Sequence, residues 1–267
     1  MAELKEKATM LILSCDKFSD LWDGHVKQLE EYWPDRGMDT YIVTDKQADK
    51  QYENVKIFSA GDSAEWSDRL YKMLETVKTE YVFITLDDYF LIRPVSSEKI
   101  LNLVGMMDSC GFDYVRLFKR PTRATREPIP GYEKAFYVDS SCNYSVNLYS
   151  GIWKTEFLKS CVAEPLNPWQ FEVSLPRKAC AYGAKCAVSN NDDFVILDVV
   201  RKGKLLHSSY NYFRKHPGIY NGNRELNTWG YEIRLGIKTF VGRHAPRPLY
   251  RAIKKVMRKF GYQFFSE

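Results

Sequence analysis

Three short apolar runs early in this chain each stop at an acid. Thr9-Met-Leu-Ile-Leu-Ser14 ends at Cys15-Asp16, Thr40-Tyr-Ile-Val-Thr44 at Asp45, and Tyr81-Val-Phe-Ile-Thr-Leu86 at Asp87-Asp88. Short runs of this kind read as buried strands. Between them, Phe18 to Tyr32 carries apolar residues at 18, 21, 22, 26 and 29, and Trp66 to Val77 at 66, 70, 73, 74 and 77. Both spacings are helical. Val55-Lys-Ile-Phe58 adds a further strand. The order β-α-β-β-α-β predicts an α/β fold, with a mixed, mostly parallel, Rossmann-like central sheet flanked by helices in a single domain. Ligands of such sheets bind beyond the carboxyl ends of the strands. Asp16, Asp45, Asp87 and Asp88 therefore fall on the edge where a ligand sits. Each acid alone could equally cap a helix or turn; three strand ends converging favour a site.

Further along, the pattern predicts a helix over 97–107, a strand over 114–118 and a surface loop over 119–135, rich in Pro and Arg. A strand-like run follows over 144–152, then a short helix over 155–161. Asn167-Pro168 opens another helix, since Asn caps well and Pro suits the first helical position. Strands are expected over 194–200 and 205–213, with a turn at 202–204. Residues 246–260 read as an amphipathic basic helix, with Leu249, Ile253, Val256 and Phe260 on one stripe.

The chain has 267 residues, 45% hydrophobic and 27% charged, which suits a globular protein and excludes a disordered one. No apolar run approaches the roughly 20 residues of a membrane-spanning helix. The amino-terminal residues are charged and lack the apolar core of a secretory signal, so a cytoplasmic protein is expected. The six cysteines contain no C-x-x-C, so no structural zinc framework follows. The net charge of +5 hides an asymmetry. From Arg234 to Glu267 there are nine bases and one acid, a local +8 against about −3 for the rest. The body is no nucleic-acid binder, and the tail could meet anionic lipid, an acidic partner or phosphate.

The richest chemistry lies in Ile84-Thr-Leu-Asp-Asp-Tyr-Phe-Leu91. Two adjacent carboxylates raise each other's pKa unless a cation compensates them. A hard divalent ion with oxygen ligands does this and commonly also holds a substrate diphosphate. An exposed turn is the plainer reading. Arg69, near the start of the helix that feeds this strand, has the planar fork that grips phosphate oxygens. It could equally pair with Asp68, Glu65 or Glu75.

Strand-Cys-Asp-Lys17, Tyr-Ile-Val-Thr-Asp45, Trp66-Ser-Asp-Arg-Leu70 and Val-Phe-Ile-Thr-Leu-Asp-Asp88 together resemble the nucleotide-sugar half of a GT-A glycosyltransferase. The similarity is greatest to bacterial enzymes of capsule and O-antigen polysaccharide assembly, and it covers roughly residues 8–215. It implies a GT-A domain over 1–245, with a donor half over about 8–118, an acceptor half over about 119–245, and the basic helix of 246–267 appended. It implies that Asp87 and Asp88 stand for the family's acidic signature, which binds Mn2+ or Mg2+ and the sugar-nucleotide diphosphate. Tyr89 follows Asp88, so the strict D-x-D spacing is absent, and which Asp touches metal stays open. By the same resemblance Asp16 and Asp45 contact the nucleoside, and His207 joins Asp88 at the metal. Glu172, in Asn167-Pro-Trp-Gln-Phe-Glu172, matches the family's catalytic carboxylate.

The physics of inversion agrees with that place, because one carboxylate must take the acceptor hydroxyl's proton. Trp169 and Phe171 could desolvate Glu172 and stack on a sugar. Glu172 could also be a helix acid favoured by the dipole. Asp192-Asp193 is a competing base, and Arg214 and Lys215 could neutralise a leaving diphosphate. The expected activity is transfer from a nucleotide sugar, UDP-linked, to a polysaccharide or lipid-linked oligosaccharide, metal-assisted and inverting. The basic helix would either touch the inner face of the plasma membrane or pack on the domain. Retaining transfer and a non-catalytic carbohydrate-binding shell are the alternatives. A sugar nucleotidyltransferase is disfavoured because Ser14-Cys15-Asp16-Lys17-Phe18 lacks the glycine-rich phosphate loop.

Overall fold

The computed structural model describes residues 2–62, 65–118 and 122–244. The basic helix expected over 246–260 lies outside the described residues.

A short helix, α1 (Ala2–Lys7), leads into β1 (Ala8–Leu13), all six residues of which are buried. α2 (Trp22–Tyr32) returns the chain to β2 (Thr40–Thr44), and β3 (Lys56–Ser59) follows. α3 (Trp66–Thr76) feeds β4 (Tyr81–Leu86), and Asp87-Asp88 joins β4 to the short β5 (Tyr89–Leu91). Next come α4 (Ser97–Cys110), β6 (Tyr114–Leu117), β7 (Thr125–Pro128), β8 (Ala135–Val138) and β9 (Gly151–Lys154). α5 (Thr155–Cys161), α6 (Pro168–Tyr182) and β10 (Cys186–Ser189) complete the main sheet and its cover. β11 (Ile196–Asp198), β12 (Val200–Arg201), β13 (Lys204–Leu205), α7 (His207–Lys215) and α8 (Trp229–His244) close the described chain.

The main sheet runs β3-β2-β1-β4-β9-β6-β10-β8-β7. β1 to β4, β6, β7 and β10 run one way; β8 and β9 run against them. This is the mixed, mostly parallel α/β sheet flanked by helices that the sequence predicts. Alternation along β1 explains its burial on both faces. Met10 and Ile12 point into a cluster with Trp22, Leu29 and Trp33 of the α2 region and Ile100, Val104 and Met107 of α4. Leu11 and Leu13 point the other way, to Leu70 and Leu74 of α3, Phe157 of α5, and Phe171 and Leu175 of α6.

The carboxyl ends of β1, β2, β4 and β6 share one edge. Ser14 donates its N–H to Val43 at 2.9 Å, and Asp87 donates its own to Leu13 at 3.2 Å. Antiparallel β9 brings its amino end to the same edge, where Thr85 and Ser150 hydroxyls meet at 3.0 Å. A third apolar cluster, Leu21, Phe90, Val199, Val200, Leu205, Phe213 and Ile219, packs the later segments beneath β5. It requires Gly24, where a Cβ would lie 2.0 Å from the Ile219 carbonyl oxygen.

Four expectations need correction. The loop expected over 119–135 contains β7, an edge strand. The strand expected over 144–152 begins only at Gly151, because 144–150 turns over the sheet edge. The strand expected over 194–200 is two short pieces, β11 and β12. The strand expected over 205–213 is almost wholly α7. Its Ser209 hydroxyl donates back to the Leu206 carbonyl at 2.7 Å, a helix-compatible bond that strand propensity does not anticipate.

Candidate active site at the carboxyl edge of the sheet

At the tip of β4 the two adjacent aspartates diverge. Asp87 is buried, and its carboxylate accepts from the Ser14 hydroxyl. That hydroxyl in turn accepts from the Trp22 indole at 2.7 Å. The Asp87 carbonyl meets His25 Nδ1 at 3.2 Å. Burial, then the charge of Asp88, push the Asp87 carboxyl well above its ordinary range, against the pull of Ser14. Asp87 is thereby turned into the protein.

Asp88 points elsewhere. As a residue it is half-buried, but its Oδ1 is sealed from solvent without a hydrogen-bond partner. β11 runs antiparallel to β5 in the register Asp198↔Tyr89, and the Val199 N–H donates to the Asp88 carbonyl at 2.9 Å. Asp198 Oδ1 is also buried and unpartnered, while Oδ2 accepts from Arg201 Nε at 2.7 Å and from a terminal nitrogen of the same guanidinium. Burial and the charge of Asp198 push Asp88 up to about 7, with Arg201 opposing. Burial also raises Asp198.

Cations surround these acids. Arg224 forks onto Asp20, at 2.7 and 2.6 Å, and lies 4.4 Å over the Phe18 ring. Its charge and that of Arg201 act on Asp88. Arg69, on the first turn of α3, donates to the Ser14 carbonyl at 3.3 Å and sits 3.6 Å from Asp45; its Nε is buried and unpartnered. Asp45 accepts the Asp16 N–H at 2.7 Å. Burial alone would raise Asp45, but the amides of Asp16 and Asp45, with Arg69 and Thr44, hold it below its ordinary value. Asp16 itself is half-buried, 3.9 Å from Lys46. So Asp16, Asp45 and Arg69 form one group at the tips of β1 and β2, beside Asp87.

Across the edge stands Glu172. Asn167 caps α6, accepting from the Trp169 and Gln170 amides at 3.1 and 3.0 Å, and Gln170 bonds back to the Asn167 N–H at 3.1 Å. This capping box, with Pro168 at the first helical position, fixes the helix start and so the placement of Glu172. Glu172 Oε1 accepts from the Leu148 N–H at 3.1 Å. Burial raises its pKa, opposed by that amide and then by Arg201. Arg201 is thus within electrostatic reach of both Glu172 and Asp88. Phe171 is buried against Trp66, whereas Trp169 is 69% exposed at the rim. Tyr149 packs on Tyr89 and Phe118, with ring centroids at 5.4 and 4.9 Å, and gives this edge an aromatic wall.

Other expected site residues lie apart. His207, expected beside Asp88 at the metal, has its Nδ1 2.7 Å from Glu232 and its ring stacked 3.7 Å from Trp229. Its contacts lead to α8, because 207 opens a helix and not a strand. Arg214 and Lys215 are exposed on the last turn of α7. Asp193 accepts from Ser189, and Asp192 pairs with Arg93 at 3.7 Å. Two cavities lie elsewhere, one of about 420 Å3 lined by residues between Gln47 and Ser59, and one of about 830 Å3 bordered by α1, α4, 131–135, Asn191 and Asp193; neither is lined by Asp88, Asp198 or Glu172.

Asp198, Arg201 and Arg224 were not foreseen. For Asp198 a signal was present: Val195-Ile-Leu-Asp198 is another apolar run ending in an acid. Among the described residues no group of three or more His, Cys, Asp or Glu is placed to hold a metal ion. Asp88 and Asp198 nonetheless offer two hard oxygens that lack protein partners, which suits a divalent ion whose remaining ligands are phosphate oxygens and water.

No family model matches the chain, and no curated protein matches it. Solved structures do. S. aureus TarS 1–349 in complex with UDP-GlcNAc is 13% identical, with a TM-score of 0.49, over 74% of this chain and 60% of that one. The chain thus spans about 60% of that TarS fragment. A UDP-glucose pyrophosphorylase complexed with UDP-glucose is 8% identical (TM-score 0.48, over 72% of this chain and 91% of that one). A CMP:2-keto-3-deoxy-manno-octonic acid synthetase complexed with CTP is 14% identical (TM-score 0.46, over 79% and 96%). At this level these are likenesses of fold and assign no residue a role.

Proposed function

We propose that this chain is a glycosyltransferase of the GT-A type, moving a sugar from a UDP-linked donor to a polysaccharide or lipid-linked oligosaccharide acceptor, as in capsule or O-antigen assembly. One observation carries the reading. Asp88 and Asp198 present buried, unpartnered carboxylate oxygens at the tip of β4, with Glu172 across the same edge and Arg201 acting on both.

The roles follow from placement. Asp45 and Asp16 hold the nucleoside at the tips of β1 and β2, and Arg69 turns its free Nε–H toward a phosphate oxygen. Arg201 and Arg224 offset the charge that grows on the leaving diphosphate. Asp88 and Asp198 would hold Mn2+ or Mg2+, which when bound neutralises diphosphate charge. Glu172, raised by burial, takes the proton from the acceptor hydroxyl as that oxygen bonds to the anomeric carbon. The bond from that carbon to the diphosphate oxygen breaks, and its electron pair leaves with the nucleoside diphosphate. Attack from the face opposite the leaving group inverts the anomeric centre. The exposed Trp169 and the half-buried Tyr149, backed by Tyr89, offer aromatic surface to the acceptor sugar.

A panel of nucleotide sugars, scored by thermal stabilisation and by hydrolysis, tests the reading. A ligand that binds only the folded state raises the melting temperature with its concentration. UDP-sugars should do so, more strongly with Mn2+. A panel with no stabilising member contradicts the proposal.

A further inference from the structure

Glu172 is held through a single peptide group. Its Oε1 accepts the Leu148 N–H at 3.1 Å, and the carbonyl of that same peptide, on Asn147, accepts from the Tyr114 hydroxyl at 3.1 Å. Tyr114 thus grips the 147–148 peptide on one side while Glu172 takes it on the other. A hydrogen bond to the carbonyl polarises the peptide and strengthens its N–H as a donor.

The Tyr114 ring is locked in place. It is fully buried on β6, with its centroid 4.3 Å from that of Trp153. On neighbouring β9, Gly151 leaves the room it needs: a Cβ there would lie 3.2 Å from Tyr114 Cε2 and 2.8 Å from the Val115 carbonyl oxygen. Arg116, two residues on and so on the same face of the strand, holds the start of the turn. Its Nη1 donates to the Tyr144 and Ser145 carbonyls at 3.3 and 3.5 Å, and its Nη2 to the Thr122 hydroxyl at 3.2 Å. Arg116 is buried, yet none of these partners is an acid. Burying a guanidinium this way is costly, and the backbone carbonyls of the turn offset part of the cost.

Within the turn, Asn147 Nδ2 donates to the Tyr144 carbonyl at 2.9 Å, and its Oδ1 accepts the Tyr149 N–H at 3.0 Å. Tyr144 has a φ of 60°, a left-handed conformation that a bulky residue keeps only where its surroundings impose it. Asn147 alone would close a surface turn. The two buried anchors from β6 also fix where the Leu148 amide points.

We propose that Tyr114 is a positioning residue for Glu172, acting through the 147–148 peptide, with Arg116 holding the turn that carries it. The inference rests on Glu172 being the base. Loosening the peptide moves the carboxylate off its line to the acceptor hydroxyl, so turnover falls while donor binding stays.

Tyr114→Phe keeps the ring and removes only the hydroxyl. Amide hydrogen exchange on the full chain reads the link without substrate: Leu148 should exchange about tenfold faster, with β1 and β4 unchanged. UDP release from UDP-glucose or UDP-N-acetylglucosamine should slow about tenfold at saturating donor, with KM held within about twofold. In a Glu172→Gln background the same change should cost less than about twofold, because the group it positions no longer takes a proton. Arg116→Lys, which keeps the charge but not the reach to two carbonyls, should show the same pattern. Unchanged Leu148 exchange in Tyr114→Phe, wild-type turnover by that variant, or an equal loss in both backgrounds would each overturn the proposal. Turnover undiminished by Glu172→Gln would sink the base assignment, and the inference with it. Turnover lost with Glu172→Gln but kept with Tyr114→Phe would sink the inference alone.

Discussion

Asp198 stands beside Asp88 across the β5–β11 ladder, where the Val199 amide closes on the Asp88 carbonyl at 2.9 Å, and the Oδ1 of each carboxylate is buried without a hydrogen-bond partner. Two like charges held this way destabilise the fold unless something binds them. The arrangement is costly on its own and useful with a cationic ligand.

That cost has a pH signature. The carboxyl of Asp88 is raised from 3.8 to about 7, so the folded state favours its protonated form. The stability it contributes is present at acid pH and lost as pH rises through about 7. At about 1.4 kcal/mol per unit the bound is about 4 kcal/mol, and sharing with Asp87 and Asp198 brings the expected effect nearer 2 kcal/mol. Asp88→Asn should therefore stabilise the metal-free protein at pH 8 and leave it unchanged near pH 4. Denaturant unfolding at the two pH values measures this, and equal effects at both would refute it.

Glu172→Gln keeps the shape of the side chain and an acceptor for the Leu148 amide, but cannot take a proton. Transfer should fall by about 10²–10⁴-fold with donor affinity kept within about twofold. Single-turnover assays beside donor titration separate the two. Full transfer by this variant would remove Glu172 from the base role.

Arg69 joins the tips of β1 and β2 and leaves one N–H buried without a partner. Arg69→Ala should weaken UDP-sugar binding by about tenfold, and Arg69→Lys should recover only part of that, since a point charge replaces a planar fork. Equilibrium binding by fluorescence or calorimetry reports the difference. Equal affinity in all three proteins would remove Arg69 from the donor site.

Gly24 tests the packing of the later segments. A Cβ there meets the Ile219 carbonyl oxygen at 2.0 Å and Phe90 at 2.9 Å. Gly24→Ala should destabilise by about 2 kcal/mol through overpacking, read from a lower denaturation midpoint. A neutral substitution would mean that the 213–226 segment yields at no cost.

The parts of the molecule written in local sequence were legible. β1, β2 and β4 are apolar runs buried on both faces, and α2 and α3 carry their apolar residues at helical spacing. The Asn167 cap and Pro168 likewise fixed the start of α6, and with it Glu172. What could not be read depends on distant pairing. Asp198 reaches Asp88 through a three-residue ladder between segments more than 100 residues apart. Arg201 and Arg224 join the acids through turns and packing that leave no periodic signal. His207 was expected at the metal by resemblance alone, and 205–213 reads as a strand. The same residues form α7, and the ring faces Glu232 and Trp229.

Isothermal titration of UDP into the protein, with and without Mn2+, tests the central claim most directly when repeated with Asp88→Ala and Asp198→Ala. The account predicts binding by wild type that tightens with Mn2+, and loss of that metal-dependent gain in both variants. Absence of any UDP heat from folded wild-type protein, or an undiminished Mn2+ gain in the variants, would contradict it.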